Sequence, residues 1–332
     1  LFRSSGILQL LFNAADIIVV GRFTGSQALA AVGSTSALIN LIINLFIGVS
    51  VGANVVVARN YGAKDYDGIH GAVHTSVLTA IWGGIILIFV GILLARPMLE
   101  MMGTPEDVIN LSVLYMRIYF VGMPAFMMYN FGAAILRAIG DTKRPLYFLT
   151  LSGVVNVVLN LFFVIVFHMG VAGVALATII SQAISAFLII LCLMKMDGPC
   201  HLDFKHLKFH PEQLKSMLRI GLPAGLQGAI FSISNVLIQS SVNSFGSQVM
   251  AGNTAAGNIE GFVYNSMNAV YQTSLSFTSQ NMGAKKFDRI NKILFQCLLV
   301  VTAIGLVMGG GAYLVGEPLL GIYTSSPEVV SY

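Results

Sequence analysis

The sequence predicts an all-α polytopic membrane protein built as two repeated lobes. Three observations carry this. Of 332 residues, 56% are hydrophobic and only 10% charged, far below the roughly 25% charged residues of soluble domains. Nine apolar runs are long enough to cross a bilayer core, which takes roughly 20 helical residues. The phrase "RNYGAKDYDGI" at 59–69 returns as "QNMGAKKFDRI" at 280–290, 221 positions later.

The nine runs lie at 4–21, 34–58, 73–95, 109–138, 145–168, 171–194, 216–241, 254–280 and 293–315. Each is long and continuously apolar, which selects helices over the ten-residue alternations of a membrane barrel. Threading the runs back and forth puts Arg59, Lys64, Arg137, Lys143, Arg144, Lys195, Lys205, Lys208, Lys215, Arg219, Lys285, Lys286, Arg289 and Lys292 on one side. The other side holds Arg22, Arg96 and Arg117. The basic side is expected to be cytoplasmic. The net charge of +4 therefore reflects loop topology, and no nucleic-acid partner is indicated. Cys192, Cys200 and Cys297 fall at or near the cytoplasmic side without metal-ligand spacing, so reduced thiols are expected.

The 221-residue offset also aligns "GSQ" at 25–27 with "GSQ" at 246–248, and Pro97 with Pro318. Six spans separate equivalent positions, so the halves run parallel about an axis along the membrane normal. The expected organisation is an N-terminal six-helix lobe at 1–195, a cytoplasmic linker at 196–215 and a C-terminal lobe at 216–332. Residues 111–221 have no downstream partner, so about nine helices of twelve are expected, with the second lobe incomplete. The repeated phrase reads as a cytoplasmic turn, with Gly and Ala permitting the tight bend and Lys holding it in water.

Two acids fall inside apolar runs, Asp16 in "NAADIIVVGRF" and Glu260 in "AGNIEGFVY". A carboxylate at that depth is costly and points to an ion or proton pathway. Asn156 and Asn160 share a helix face, and Thr178 and Tyr115 add a hydroxyl and a phenol on neighbouring spans. With Asp16 they could line an oxygen-rich pocket for a proton or a sodium ion, or serve as hydrogen-bonding glue between helices. Pro124 and Pro223 lie within spans, as candidate hinges or static kinks. "GVSVG" at 48–52 has the spelling of a hydrolase elbow but lies in a long apolar helix, where Gly48 and Gly52 make a small-residue packing face. His201, His206 and His210 fit no zinc signature. No paired nucleophile and base or cofactor loop is present, so an enzyme is not expected.

These phrases, with "LRAIGDTKRP" at 136–145, "MGVAGVALAT" at 169–178 and "RIGLPAGLQ" at 219–227, resemble the bacterial multidrug and toxic compound extrusion (MATE) transporters, and most of all their DNA-damage-inducible F type. The resemblance implies twelve spans in two lobes in the bacterial inner membrane. It also implies secondary antiport of small organic compounds, often cationic, against protons or sodium, with no other cofactor. In the F type the first-lobe site includes the aspartate matched by Asp16, joined by positions matching Tyr115, Asn156, Asn160 and Thr178. A second aspartate is common where Asn160 stands, so this chain departs there. Another branch carries an acid where Phe231 stands. Glu260 matches a glutamate of some members, at a substrate site or lobe interface. The rival readings are a flippase for lipid-linked sugars or phospholipids, which would need several cavity cations, and a non-transporting receptor or scaffold.

Overall fold

The computed structural model describes residues 26–104, 106–243 and 247–316, and these are almost entirely helical. The first predicted run, with Asp16, lies outside them. The helices are α1 (Ser26–Ala63), α2 (Tyr66–Met101), α3 (Glu106–Val121), α4 (Met123–Ala138), α5 (Lys143–Leu161), α6 (Gly170–Met194), α7 (Pro211–Asn243), α8 (Ser247–Gly283), α9 (Phe287–Ile304) and α10 (Gly310–Leu314). α5 runs on into a π-helical turn at Phe162–Val166, and a second π turn, Gly305–Gly309, joins α9 to α10.

Among the described residues, Leu38–Ala63, Tyr66–Met101, Lys143–Val166, Gly170–Met194 and Phe287–Leu314 are long and apolar enough to cross a membrane. The run predicted at 109–138 is α3 plus α4, bent by 49°. Gly122 caps α4 and Pro124 sits in its first turn, where a missing N–H costs nothing. The bend is accommodated by α2, because a Cβ at Gly84 would come within 2.8 Å of the Pro124 nitrogen. Pro223, by contrast, lies inside the continuous helix α7. The runs predicted at 216–241 and 254–280 coincide with α7 and α8, helices of 33 and 37 residues. Both are more polar than the other spans, and some of their polar side chains, Ser232, Ser276 and Gln280 among them, bond to neighbouring helices.

The repeated phrase forms the same turn twice. Lys64 and Lys285, which are 221 apart, both have left-handed backbones, at φ 59° and 56°. The Lys64 N–H donates to the Tyr61 carbonyl and Asp65 N–H to that of Asn60; Lys285 N–H donates to the Met282 carbonyl and Lys286 N–H to that of Asn281. These paired bonds close a Schellman motif on each helix. The sequence reading assigned the bend to Gly and Ala, and the structure corrects it. Lysine takes the left-handed position, while Gly62 and Gly283 stay helical and serve another purpose. A Cβ at Gly62 would overlap the Gln280 carbonyl oxygen, and one at Gly283 would overlap the Arg59 carbonyl oxygen. Since 62 and 59 correspond to 283 and 280, the two copies touch each other through the same atoms in both directions.

α1 packs along α7 and α8. Its Gly48 and Gly52 face Gly221, Gly225 and the Met217 backbone of α7. Both helices present glycines four residues apart, so one row of bare backbone lies on another. This is the small-residue face expected at Gly48 and Gly52.

Burial on α5 is inverted relative to a soluble helix. Ser152, Asn156 and Asn160 are buried, while Leu151, Val154 and Val158 are more than half exposed. Lipid is the solvent on that outer side, so polar groups find partners inside. The linker after α6 is tied to the N-terminal part of α2. His74 is fully buried, donates from Nδ1 to the His70 carbonyl (2.8 Å), and accepts at Nε2 from the Asp203 N–H (3.3 Å). His206 Nδ1 donates to the Asp203 carboxylate at 2.6 Å, and this bond is the main cause holding the Asp203 carboxyl below its usual range. Cys200, within the linker, is buried, and burial pushes its thiol up to about 11.

Gly52→Leu is expected to cost about 2–3 kcal/mol through forced separation of α1 and α7, seen as a lower melting temperature in detergent. Gly257→Ala, at a helical glycine with open space around it, changes stability by less than about 1 kcal/mol. At pH 7.5 Cys200 should react with a maleimide about 100-fold more slowly than an unperturbed thiol, given its thiolate fraction. Peptide mass spectrometry reads that rate, and labelling at the ordinary rate would show that the linker is not seated.

Candidate functional site

Two polar regions lie within the helical assembly. The first joins α5 to α6. Asn160 Nδ2 donates to Asn156 Oδ1 at 3.2 Å, Asn156 Nδ2 donates to Thr178 Oγ1 at 3.5 Å, and the Thr178 hydroxyl donates to the Val174 carbonyl at 3.0 Å. Asn160 is fully buried and Asn156 nearly so. Three of the predicted site residues are thus brought into one hydrogen-bonded chain. Their spacing explains it, since residues four apart on α5 share a face and that face meets α6.

Tyr115 is buried on α3, which packs against α6. Its ring meets Tyr119, with centroids 5.9 Å apart. A small cavity nearby is lined by Tyr119, Gly122, Phe126, Thr178 and Gln182. It places Thr178 beside the bend between α3 and α4. Asp16 lies outside the described residues.

The second region is a larger cavity, about 780 Å³, between α1, α7 and α8. Its walls include Asn44, Gln227, Phe231, Tyr264, Asn268 and Tyr271. Asn44 Nδ2 donates to Ser232 Oγ at 2.8 Å, which ties α1 to α7 at the cavity edge. Among the described lining residues none carries a charge. Glu260 is exposed and lies one helical turn before Tyr264 on the same face of α8.

Below the cavity, toward the repeated turns, the helices close. Ser276 Oγ donates to Asn54 Oδ1 (3.1 Å), Asn54 Nδ2 to the Ala134 carbonyl (2.8 Å), and Gln280 Nε2 to the Ala138 carbonyl (2.6 Å). Asn60 Nδ2 reaches Gln213 Oε1 at 3.3 Å. The contacts of Gly62 and Gly283 finish the seal. From Tyr271 to Gly283 the closed layer is about 18 Å deep along α8, at 1.5 Å per residue. Gly48 and Phe231 of the cavity, and Gly62 and Gly283 of the seal, were named from sequence for other reasons, whereas Asn44, Gln227, Tyr264, Asn268, Tyr271, Asn54 and Ser276 were not singled out. Their signal lay in the unusual polarity of α7 and α8.

Asn156→Leu removes both side-chain bonds at the centre of the α5–α6 chain and should cost about 1–3 kcal/mol. Val158→Leu, on the lipid-facing side of the same helix, should leave the melting temperature unchanged. Equal effects would mean that the polar chain does not hold the helices together.

Known proteins share this architecture. Over 98% of its length the chain is 29% identical to the probable multidrug resistance protein YoeA of Bacillus subtilis, covering 72% of that protein. It is 24% identical, over 98% of its length, to the probable multidrug resistance protein NorM of Thermotoga maritima, covering 70%. A solved transporter of the MOP superfamily from Pyrococcus furiosus superposes with a TM-score of 0.92 at 25% identity, over 99% of this chain and 74% of the other. A multidrug resistance MATE family transporter solved in an outward-facing conformation gives the same score, identity and coverage. The model of the MatE family matches residues 4–162 and 223–332, and the chain is a multi-pass membrane transporter of that family.

Proposed function

We propose that the chain exports small organic compounds, cations among them, by antiport against protons or sodium. The observation that carries this reading is the cavity between α1, α7 and α8, closed on the side of the repeated turns by reciprocal glycine contacts. Such a chamber, sealed at one end by two copies of one motif, suits alternating access about a symmetry axis. The basic loops orient the sealed end toward the cytoplasm, so the arrangement corresponds to an outward-facing state. The likeness to an outward-facing relative supports this, and relatives named for multidrug resistance support the substrate class.

The coupling ion is assigned to Asp16, acting with the Asn156, Asn160 and Thr178 chain and with Tyr115. Ion occupancy there lowers substrate affinity, and by reciprocity substrate disfavours the ion to the same degree. Asn160 in place of a second acid leaves one carboxylate, enough for a proton and a weaker ligand set for sodium. Glu260, on the cavity face of α8, attracts cationic compounds to the chamber. The uncharged walls among the described residues favour this reading over a flippase, which would need cavity cations for a pyrophosphate.

In proteoliposomes, efflux of a fluorescent organic cation under separately imposed pH and sodium gradients is expected to respond to one of them. Asp16→Asn should abolish the response while the protein still folds and inserts. Retained gradient-driven transport in that variant would remove Asp16 from the mechanism. Gly62→Ala or Gly283→Ala should open the sealed end. A penalty of about 1–3 kcal/mol on the closed state shifts the two-state ratio roughly 5- to 150-fold. A cysteine placed at Ser276 would report this through faster labelling from the cytoplasmic side; unchanged labelling would mean that the glycine contacts do not form the gate.

A further inference from the structure

The linker between the lobes is pinned at its last residue. His210 immediately precedes α7, and its carbonyl accepts a bond of the first turn, from the Leu214 N–H at 3.0 Å. Its own N–H donates to the hydroxyl oxygen of Thr75 on α2 at 3.1 Å, and Thr75 is fully buried. The ring rests on α2 where Gly71 leaves room, since a Cβ there would come within 3.1 Å of the His210 Cγ. Three residues later Gln213 accepts the Asn60 amide at 3.3 Å, one of the bonds of the seal. His210 thus fixes where α7 starts against α2, and the seal bond follows within one helical turn.

Four histidines gather at this junction, and a proton would affect each differently. His74 has the His70 carbonyl 2.8 Å from Nδ1, and at Nε2 the Asp203 carbonyl at 3.1 Å as well as the Asp203 N–H at 3.3 Å, so a second proton on this ring still finds an acceptor. His206 is exposed and already paired with the Asp203 carboxylate. His70 is half-buried, its ring centroid 4.0 Å from that of His74. His210 differs from all three, because its Nδ1 is buried with no hydrogen-bond partner among the described residues. A bare lone pair is tolerated there, whereas a charged N–H without an acceptor or water is not. Among the described residues no three of the cluster's donors are placed to share a metal ion, which leaves protonation as the chemistry open to it.

We propose that His210 is a proton switch on the linker: neutral, it docks the linker and the start of α7 on α2; protonated, it leaves its site, and the seal loosens with it. Histidine changes charge between pH 5 and 8. The docked form binds fewer protons than the released form, so docking is strongest at high pH and is lost as pH falls. The ionisable groups on the elements that meet there are Asp67, His70 and His74 of α2, Asp203, Lys205, His206 and Lys208 of the linker, Glu212 and Lys215 of α7, and Arg59 at the end of α1. Asp203 is engaged by His206 and by the Lys205 N–H, and Asp67 and Glu212 are exposed, so none of these acids neutralises a proton on the buried nitrogen. Protons on His70 or His74 add like charge to the same cluster. That the switch senses the cytoplasm rests on the orientation proposed above; the docking itself does not.

Cys200, buried within the linker, is a built-in reporter of docking. Its maleimide rate in the folded full-length protein is compared at each pH with that of the unfolded protein, so the thiolate fraction's own pH dependence cancels. Protection of about 100-fold is expected at pH 7.5, falling about tenfold or more by pH 5.5 in the wild type. His210→Phe and His210→Gln, neutral at every pH, should keep the protection at pH 5.5, and His206→Gln should lose it as the wild type does. Gly71→Leu, whose side chain takes the place of the His210 ring, should be unprotected already at pH 7.5; melting temperatures check that the variants fold. In proteoliposomes, Ser276→Cys should label about tenfold faster from the sealed end at pH 5.5 than at pH 7.5, and combining it with His210→Phe should remove the difference. Wild-type protection that is equal at the two pH values, acid release in both neutral variants, or full protection in Gly71→Leu would overturn the switch; release of Cys200 without faster labelling at Ser276→Cys would cut its link to the seal. Neither readout needs transport. A protein that releases the linker in acid but moves no organic compound under any gradient keeps the switch and overturns the transport reading, and a transporting protein with a pH-invariant linker does the reverse.

Discussion

The fold depends on bare backbone meeting bare backbone where α1 crosses α7. In a bilayer, apolar side chains gain nothing by leaving lipid for one another, so helices associate through close packing and polar contacts. Gly48 and Gly52 against Gly221 and Gly225 permit an approach at which van der Waals contact is densest and Cα–H groups can meet carbonyls. Any side chain there would push the helices apart. Along α1 the cavity residues Asn44 and Ile47 lie before this crossing and the seal, from Asn54 to Gly62, lies after it, so both inherit their positions from the glycine contact.

The polar residues follow from the same solvent argument. An amide or hydroxyl in hydrocarbon must find a partner within the protein. Asn156, Asn160 and Thr178 find one another across α5 and α6, and Asn54 and Ser276 do so across α1 and α8. The first set sits away from the large cavity and the second beneath it. The two sets are joined through helices in contact, since α6 packs on α4 and α4 packs on α1.

Much of this was legible in the sequence because lipid imposes a simple rule. Long apolar runs became helices, the asymmetry of basic loops kept their count consistent, and the four-residue spacing of Asn156 and Asn160 foretold a shared face. The break at Gly122 within the run at 109–138 was not legible, because the run stays apolar through it and only Pro124 hints at the bend. The repeated phrase was recognised but misread. Its glycines look like turn residues, and their role as contact points requires knowing that residue 62 lies against residue 280. The cavity was hidden for the same reason: Asn44, Gln227, Phe231 and Tyr264 come together only once α1, α7 and α8 are packed. A trace of it was present even so. Extending the repeat into α8 finds polar and aromatic residues where α1 has isoleucines, and the symmetry fails on the side that faces the chamber.

The arrangement of glycines also constrains how such a protein can move. The crossing at Gly48, Gly52, Gly221 and Gly225 contains no side chain that must change rotamer when the helices rotate, so α1 and α7 can pivot there at low cost. The seal at Gly62 and Gly283 is different, because each glycine faces a carbonyl oxygen across an interface that must open for access from that end. It lies ten residues beyond Gly52 on α1, about 15 Å along the axis. A rotation of roughly 20° about the crossing would therefore displace the seal by about 5 Å, one helical turn and the scale on which packed elements exchange discrete positions. The same rotation would narrow the cavity on the other side of the pivot. One close-packed crossing can thus set the closed layer and the chamber in opposition, so that opening one requires closing the other.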